Sequence, residues 1–349
     1  MREIVKNDID RIADYEMNWS ALDGKTLLVT GANGFIGSLL IEAVLVHNRR
    51  YGTNINVVAA VRSVSRGKEK FEEFLPDEHI EFLEWDVTEP NSDNIKVDYL
   101  LHCASNAAPD RYAGDPVGTM QINFYGTYNT LEFAKRNNVS RYIYASTIEI
   151  YGRTANLETI HEDEYGYISA TNVRSCYPMS KKCCENLTVC YGDQYGLDVS
   201  IGRIAYIYGA GSSDTDAKVG SAFARQVAKG EDIIMGSPGT QRRSYTYVTD
   251  AVTGLLTVAV EGKNGEAYNI ASPYSRITIA EMAQLMCDLF PEQNSKVVFQ
   301  NPNDSQKRAF SFIEDAVLDS DKLEALGWKP VVSPEDGFRY TIQDYMDRQ

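Results

Sequence analysis

Apolar and polar positions follow two alternating rhythms along the first part of the chain. Short apolar runs recur at 25–30 (KTLLVT), 55–61 (INVVAAV), 79–85, 97–105 (VDYLLHCAS), 140–147 (SRYIYAST) and 197–204 (LDVSIGRI). Longer segments with helical periodicity fall between them, at 35–47, 116–137 and 177–194. Apolar runs of strand length with few polar interruptions predict strands buried on both faces. Strands that alternate with helices join by crossovers, which predicts an α/β fold with a doubly wound parallel sheet. At the N terminus, Ile4, Val5, Ile9 and Ile12 sit at helical spacing and predict a short amphipathic helix packed on the body. After about residue 205 the pattern loses its regularity. Turn signals at Gly209-Ala210-Gly211 and Gly236-Ser237-Pro238-Gly239 predict a smaller mixed α/β lobe there.

Composition narrows the classes of partner. The 349 residues are 43% hydrophobic, ample for a sizeable core, and the formal net charge is −15. Nucleic acids and anionic membranes call for clustered Lys and Arg, so neither is an expected partner. A small anionic ligand stays within reach, because a few placed arginines hold one diphosphate. No apolar run approaches the roughly 20 residues that span a bilayer. The opening MREIVKNDIDRIADYE lacks the apolar stretch of a secretion signal. Six cysteines stand at 103, 176, 183, 184, 190 and 287, none in CxxC spacing or beside a histidine in a ligand pattern. They read as reduced thiols of a cytoplasmic protein, with no metal site expected.

The chemistry begins at Gly31-Ala32-Asn33-Gly34-Phe35-Ile36-Gly37, set between the first strand and the first long helix. Glycines there let the backbone turn tightly and approach a pyrophosphate, which sits on free N–H groups at the helix N-terminus. With a second strand about 25 residues on, the arrangement predicts a Rossmann-type nicotinamide dinucleotide site. Gly31, Asn33, Gly34, Phe35, Ile36 and Gly37 are its candidates, with Asp86 and Val87 after the third strand near the adenine. An acidic residue at the end of the second strand would hold the ribose of NAD. Here Arg62 and then Arg66 follow that strand, so NAD and NADP both stay open, with the cations favouring a 2′-phosphate. The expected organisation is an N-terminal helical extension (1–22), a dinucleotide-binding domain carrying the catalytic residues (23–204), and a mainly substrate-binding lobe (205–349) with some segments returning to the first.

Tyr177 and Lys181, four apart at the start of a helix, share one face. An ammonium beside a phenol favours the phenolate, which predicts a lowered pKa and a base for a sugar hydroxyl. Thr147 and Glu149 stand at the end of the fifth strand, where parallel sheets expose their ligand crevice. Thr147 is placed to hydrogen-bond the reacting oxygen, and Glu149 to act as a second acid or base.

These motifs together resemble the extended short-chain dehydrogenase/reductase family, whose members modify nucleotide sugars. Within it the pattern is most similar to the UDP-glucuronate decarboxylases, through STIEIYG (146–152), RSCYPMSK (174–181), RRSYTYVTDAVTGL (242–255) and LGWKP (326–330). The resemblance implies a catalytic role for Thr147, Tyr177 and Lys181, with Glu149 as the glutamate of the decarboxylase and dehydratase subgroups. It implies substrate contacts for Asn123, Arg243 and Arg308. It also implies a homodimer built from the 116–137 and 177–194 helices. Three departures stand out: Tyr206 replaces a substrate-touching Asn, Ala309-Phe310-Ser311 replaces a Lys-Pro-Asp, and no acidic residue follows the second strand. Dehydratases of the family usually carry Asp beside the Glu, as the acid that expels water. Here Ile148 holds that place, which favours decarboxylation or 4-epimerisation of a nucleotide-diphosphate sugar. An NADPH-consuming reductase and a non-catalytic nucleotide-binding scaffold stay open as alternatives.

Overall fold

The structure, a computed structural model, describes residues 1–154, 158–301 and 315–349. Its centre is a seven-stranded parallel sheet of β1 (Thr26–Thr30), β2 (Asn56–Val61), β3 (Ile80–Glu84), β4 (Tyr99–His102), β5 (Arg141–Thr147), β6 (Val199–Ile204) and β10 (Glu266–Ile270). The strands lie in the order β10-β6-β5-β4-β1-β2-β3, so the winding reverses between β1 and β4. Every residue of β5 and β6 is buried, as a sheet covered on both faces requires. The predicted Rossmann-type sheet is present, and β10 reaches it from far along the chain to pair with β6 in parallel.

The helices start and stop where local chemistry dictates. Helix α2 (Phe35–Tyr51) runs past the predicted 47 and stops at Gly52, whose φ of 71° is the left-handed cap that glycine adopts freely. A short α3 (Val64–Lys70) follows β2, and α4 (Pro109–Gly114) leads into α5. Helix α5 (Pro116–Arg136) begins with Asp115 accepting from the Gly118 N–H and proline at its first position. Helix α6 (Cys176–Tyr195) ends on a left-handed Gly196. The predicted fourth strand, 97–105, stops earlier, because Cys103 to Ala108 leave the sheet and border a groove.

The N-terminal α1 (Glu3–Ala13) buries Val5, Ile9 and Ile12 against α2 and α7 (Val248–Glu261). Tyr15 just beyond it both accepts from the Lys329 N–H at 2.7 Å and donates to the Lys329 carbonyl at 3.1 Å. The later part of the chain adds a three-stranded sheet of β7 (Tyr206–Tyr208), β9 (Arg242–Tyr247) and β11 (Arg276–Thr278). Strands β8 (Ile233–Met235) and β12 (Val297–Phe299) form a parallel pair. All six cysteines are free thiols. Among the described residues, no helix is long and apolar enough to cross a membrane.

Candidate active site

A groove of about 1180 Å³ opens along the carboxyl ends of β1 to β4, at the point where the strand order reverses. The glycines account for its floor. Gly31 leaves β1 with φ +68°, and a Cβ there would stand 2.9 Å from the backbone nitrogen of Ala104. A Cβ on Gly37 would stand 2.5 Å from the carbonyl oxygen of Gly31. The first turn of α2 is therefore pressed onto the end of β1, and that helix N-terminus borders the groove. Gly31, Asn33, Gly34, Phe35, Ile36, Gly37, Arg62, Asp86 and Val87 all line this groove. A floor packed this closely, which a Cβ on those glycines would force apart, fits a nicotinamide dinucleotide.

Two cations join Arg62 on the wall beyond β2. Arg66 and Lys70, both on α3, line the groove with it. Lys70 lies 3.6 Å from the buried carboxyl of Glu42, whose pKa burial pushes up. Asp86 accepts hydrogen bonds from the Thr88 N–H (3.0 Å) and hydroxyl (2.8 Å), which fixes the turn after β3.

Behind the groove, Thr147 ends β5 and accepts a hydrogen bond from the Glu149 N–H at 3.3 Å. Tyr177 and Lys181 face inward from α6, 6% and 3% exposed. The nearby hydroxyls of Thr147 and Ser105 pull the pKa of the Tyr177 phenol down, as does the charge of Arg174. Burial and the nearby charge of Glu149 outweigh them, so the phenol titrates above the ordinary tyrosine value. The expected lowering by Lys181 is thus not what the fold produces. Its ammonium donates to the Ala145 carbonyl at 2.7 Å and rests 4.5 Å from the Tyr144 ring centre. Burial also brings the pKa of Lys181 itself down to about 8.

Glu149 is not a free acid or base either. Arg174, three residues before Tyr177, donates to both of its carboxylate oxygens, at 3.0 and 2.9 Å. The same guanidinium donates to the Tyr112 hydroxyl at 2.8 Å and lies 4.3 Å from that ring's centre. Tyr112, on α4, stacks on Tyr177 with centroids 5.3 Å apart. The sequence reading missed Ser105, Tyr112 and Arg174 as parts of this cluster.

Asn123 lies beneath the site and does not line the groove. Its amide donates to the Ser180 hydroxyl at 2.9 Å and accepts from the Ser105 hydroxyl at 2.8 Å, with 1% exposure. Each end of the amide makes one bond, and Asn123 ties Ser105 to α6. Tyr206 borders the cluster closely enough to act electrostatically on Tyr112 and Arg174. Arg243, buried in β9, places its guanidinium 5.7 Å from the Tyr206 ring centre and donates to the Arg242 carbonyl at 3.0 Å. Arg308 lies outside the described residues.

Comparison with known proteins follows the same outline. Residues 27–271 match the model of the NAD dependent epimerase/dehydratase family. The chain is 32% identical over 320 residues to UDP-glucuronic acid decarboxylase 6 of Arabidopsis thaliana, covering 91% of this chain and 88% of that one. It is 32% identical over 331 residues to UDP-glucuronic acid decarboxylase 1 of Danio rerio, covering 95% and 74%. Among solved structures, UDP-glucuronic acid 4-epimerase from Bacillus cereus, in complex with UDP-glucuronic acid and NAD, superposes with a TM-score of 0.77. The identity there is 20%, over 93% of this chain and all of the other.

Proposed function

The chain belongs to the NAD dependent epimerase/dehydratase family, and from that premise we propose that it is a decarboxylase of a nucleotide-diphosphate uronic acid resembling UDP-glucuronate. The observation that carries this is the state of the two residues after Thr147. Ile148 is apolar and 1% exposed, and both oxygens of Glu149 are held by Arg174. Neither is placed to protonate a leaving hydroxyl, as dehydration requires. Loss of carbon dioxide from a β-keto acid needs no such donor. The two decarboxylase relatives, similar over most of their length, support the same reading.

A bound nicotinamide would supply hydride acceptance and return at C4 of the sugar, so no net oxidant would be consumed. Tyr177 would be the base for the C4 hydroxyl in its phenolate form, with the Thr147 and Ser105 hydroxyls beside it. The positive charge of a bound oxidised nicotinamide would favour that form over the protonated phenol that burial and Glu149 favour. Lys181, anchored on Ala145, supplies positive charge under the site. Gly31 to Gly37 would hold the dinucleotide's pyrophosphate at the N-terminus of α2. Arg62, Arg66 and Lys70 line the same groove beyond β2, and cations there could hold an adenosine 2′-phosphate, which supports NADP as a ligand beside NAD.

We also assign the active form as a homodimer within a cytoplasmic setting. The face of α5 that carries Val117, Met120, Phe124 and Tyr128 leaves each of them at least 40% exposed. That stripe, spaced three and four residues apart, fits the four-helix contact that the family resemblance implies.

The test is to incubate the purified protein with UDP-, CDP-, GDP- and dTDP-sugars, uronates included, and to weigh the products. Release of carbon dioxide from a uronate is the expected result. An unchanged mass with altered retention would replace decarboxylation by 4-epimerisation. Net consumption of NADPH would make the protein a reductase. No turnover on any sugar would leave a nucleotide-binding scaffold.

A further inference from the structure

The buried ion pair at the sugar end of the site raises a question of charge. Glu149 is 7% exposed and acts on Tyr177 strongly enough to be the second cause of its raised pKa. A substrate that carries its own carboxylate would have to settle beside that anion. Two negative charges sharing one poorly solvated site repel, and the site would exclude the second. Arg174 removes the conflict. Its side chain is 8% exposed, and its two-pronged contact matches the planar geometry of a carboxylate. Glu149 and Tyr112 take three bonds from its terminal nitrogens. Its Nε is buried with no hydrogen-bond partner among the described residues, so a donor remains. The pair also borders a small pocket of about 130 Å³, shared with Arg153, Tyr167 and Ser175, and so is not sealed in the core.

We propose that Arg174 is a specificity-determining residue: its guanidinium neutralises Glu149 and thereby admits a sugar bearing a carboxylate at C5 beside Tyr177. This deepens the decarboxylase reading and rests on it. A neutral hexose has no need of such compensation, so the role of Arg174 separates from mere support of the fold. Support would serve both sugars alike.

The experiment measures binding of UDP-glucuronate and UDP-glucose by calorimetry, with turnover stopped by Tyr177→Phe and with Arg174→Met or Arg174→Lys added. Arg174→Met is expected to weaken UDP-glucuronate by roughly a hundredfold and UDP-glucose by less than about threefold. Arg174→Lys keeps the charge but loses the fork, and is expected to restore the uronate to within about tenfold. Where Arg174→Met does not fold, Arg174→Gln carries the same comparison. Equal losses for the two sugars, or none for either, would overturn the proposal. If the Arg174-intact protein binds neither sugar, the decarboxylase reading itself fails and the inference falls with it. If the protein with both Tyr177 and Arg174 intact binds the uronate without releasing carbon dioxide, the reaction is wrong, and the charge comparison still decides the role of Arg174.

Discussion

Gly37→Ala tests whether the close seat of α2 on β1 makes the dinucleotide site. The added methyl would stand 2.5 Å from the Gly31 carbonyl oxygen, 3.1 Å from its carbonyl carbon and 3.2 Å from the Ala32 Cα. All three are backbone atoms, so no side chain can swing aside. Relief requires the first turn of α2 to back away by about 1 Å, toward an ordinary van der Waals separation. Overpacking of this kind costs about 1–3 kcal/mol. In a chain of 349 residues that lowers Tm by roughly 1–2 °C per kcal/mol. The same displacement withdraws the N–H groups that meet the pyrophosphate, so NAD affinity is expected to fall about tenfold or more. Gly52→Ala, at the other end of the helix, is the control. Nothing lies within 4 Å of its would-be Cβ, and only the left-handed φ of 71° opposes it, at about 1 kcal/mol. It should lower Tm modestly and leave NAD binding alone. Calorimetric titration of cofactor-stripped protein and thermal unfolding read both quantities. Unchanged NAD affinity in Gly37→Ala, or equal losses in the two variants, would refute the reasoning.

Other expectations follow from the same geometry. Tyr177→Phe should lose at least about a hundredfold in kcat while substrate Kd stays within a few fold, which product formation and calorimetry separate. Arg62→Ala should weaken NADP by about tenfold and leave NAD nearly unchanged; equal losses would mean that Arg62 does not meet a 2′-phosphate. Phe124→Glu places a charge in the exposed α5 stripe and should shift sedimentation from dimer to monomer without unfolding the protein. Burial raises the Asp8 carboxyl from 3.8 to about 7, against hydrogen bonds from Tyr247 and Arg11 and the charge of Arg11. A raised carboxyl favours the folded state while protonated, so its contribution is full below about pH 4 and fades as pH climbs through 7. Tm should therefore decline across that window, and Asp8→Asn should flatten the decline.

The sequence carried the parts of the fold that depend on local pattern. Buried runs such as RYIYAST and the strand-glycine-helix succession announce themselves without tertiary information, as does the Tyr177–Lys181 spacing. What it did not carry is what three-dimensional neighbours impose. Arg174 lies 25 residues from Glu149, in an irregular stretch where no periodicity links them, and the pair exists because α6 docks against β5. Tyr112 and Ser105 come from the segment after β4, which reads as strand and loop until its packing on Tyr177 is seen. The direction of the Tyr177 shift needed the burial of the phenol and the proximity of Glu149, neither of which spacing reveals. Asn123 was located on the right helix, but its commitment to Ser180 and Ser105 emerges from packing.

The path of β10 has a consequence for how this protein is made. Its strand closes the edge of the central sheet beside β6, yet it is synthesised more than sixty residues later, after β7, β8 and β9 of the smaller lobe. Until residue 270 has left the ribosome, β6 presents an open edge with unpaired backbone groups, the kind of surface on which nascent chains associate. The nucleotide-binding half therefore cannot be completed as an autonomous co-translational unit. A fragment cut after β6 should expose that edge and aggregate, and recombining this half with a foreign substrate lobe would succeed only if the graft brings a strand to replace β10.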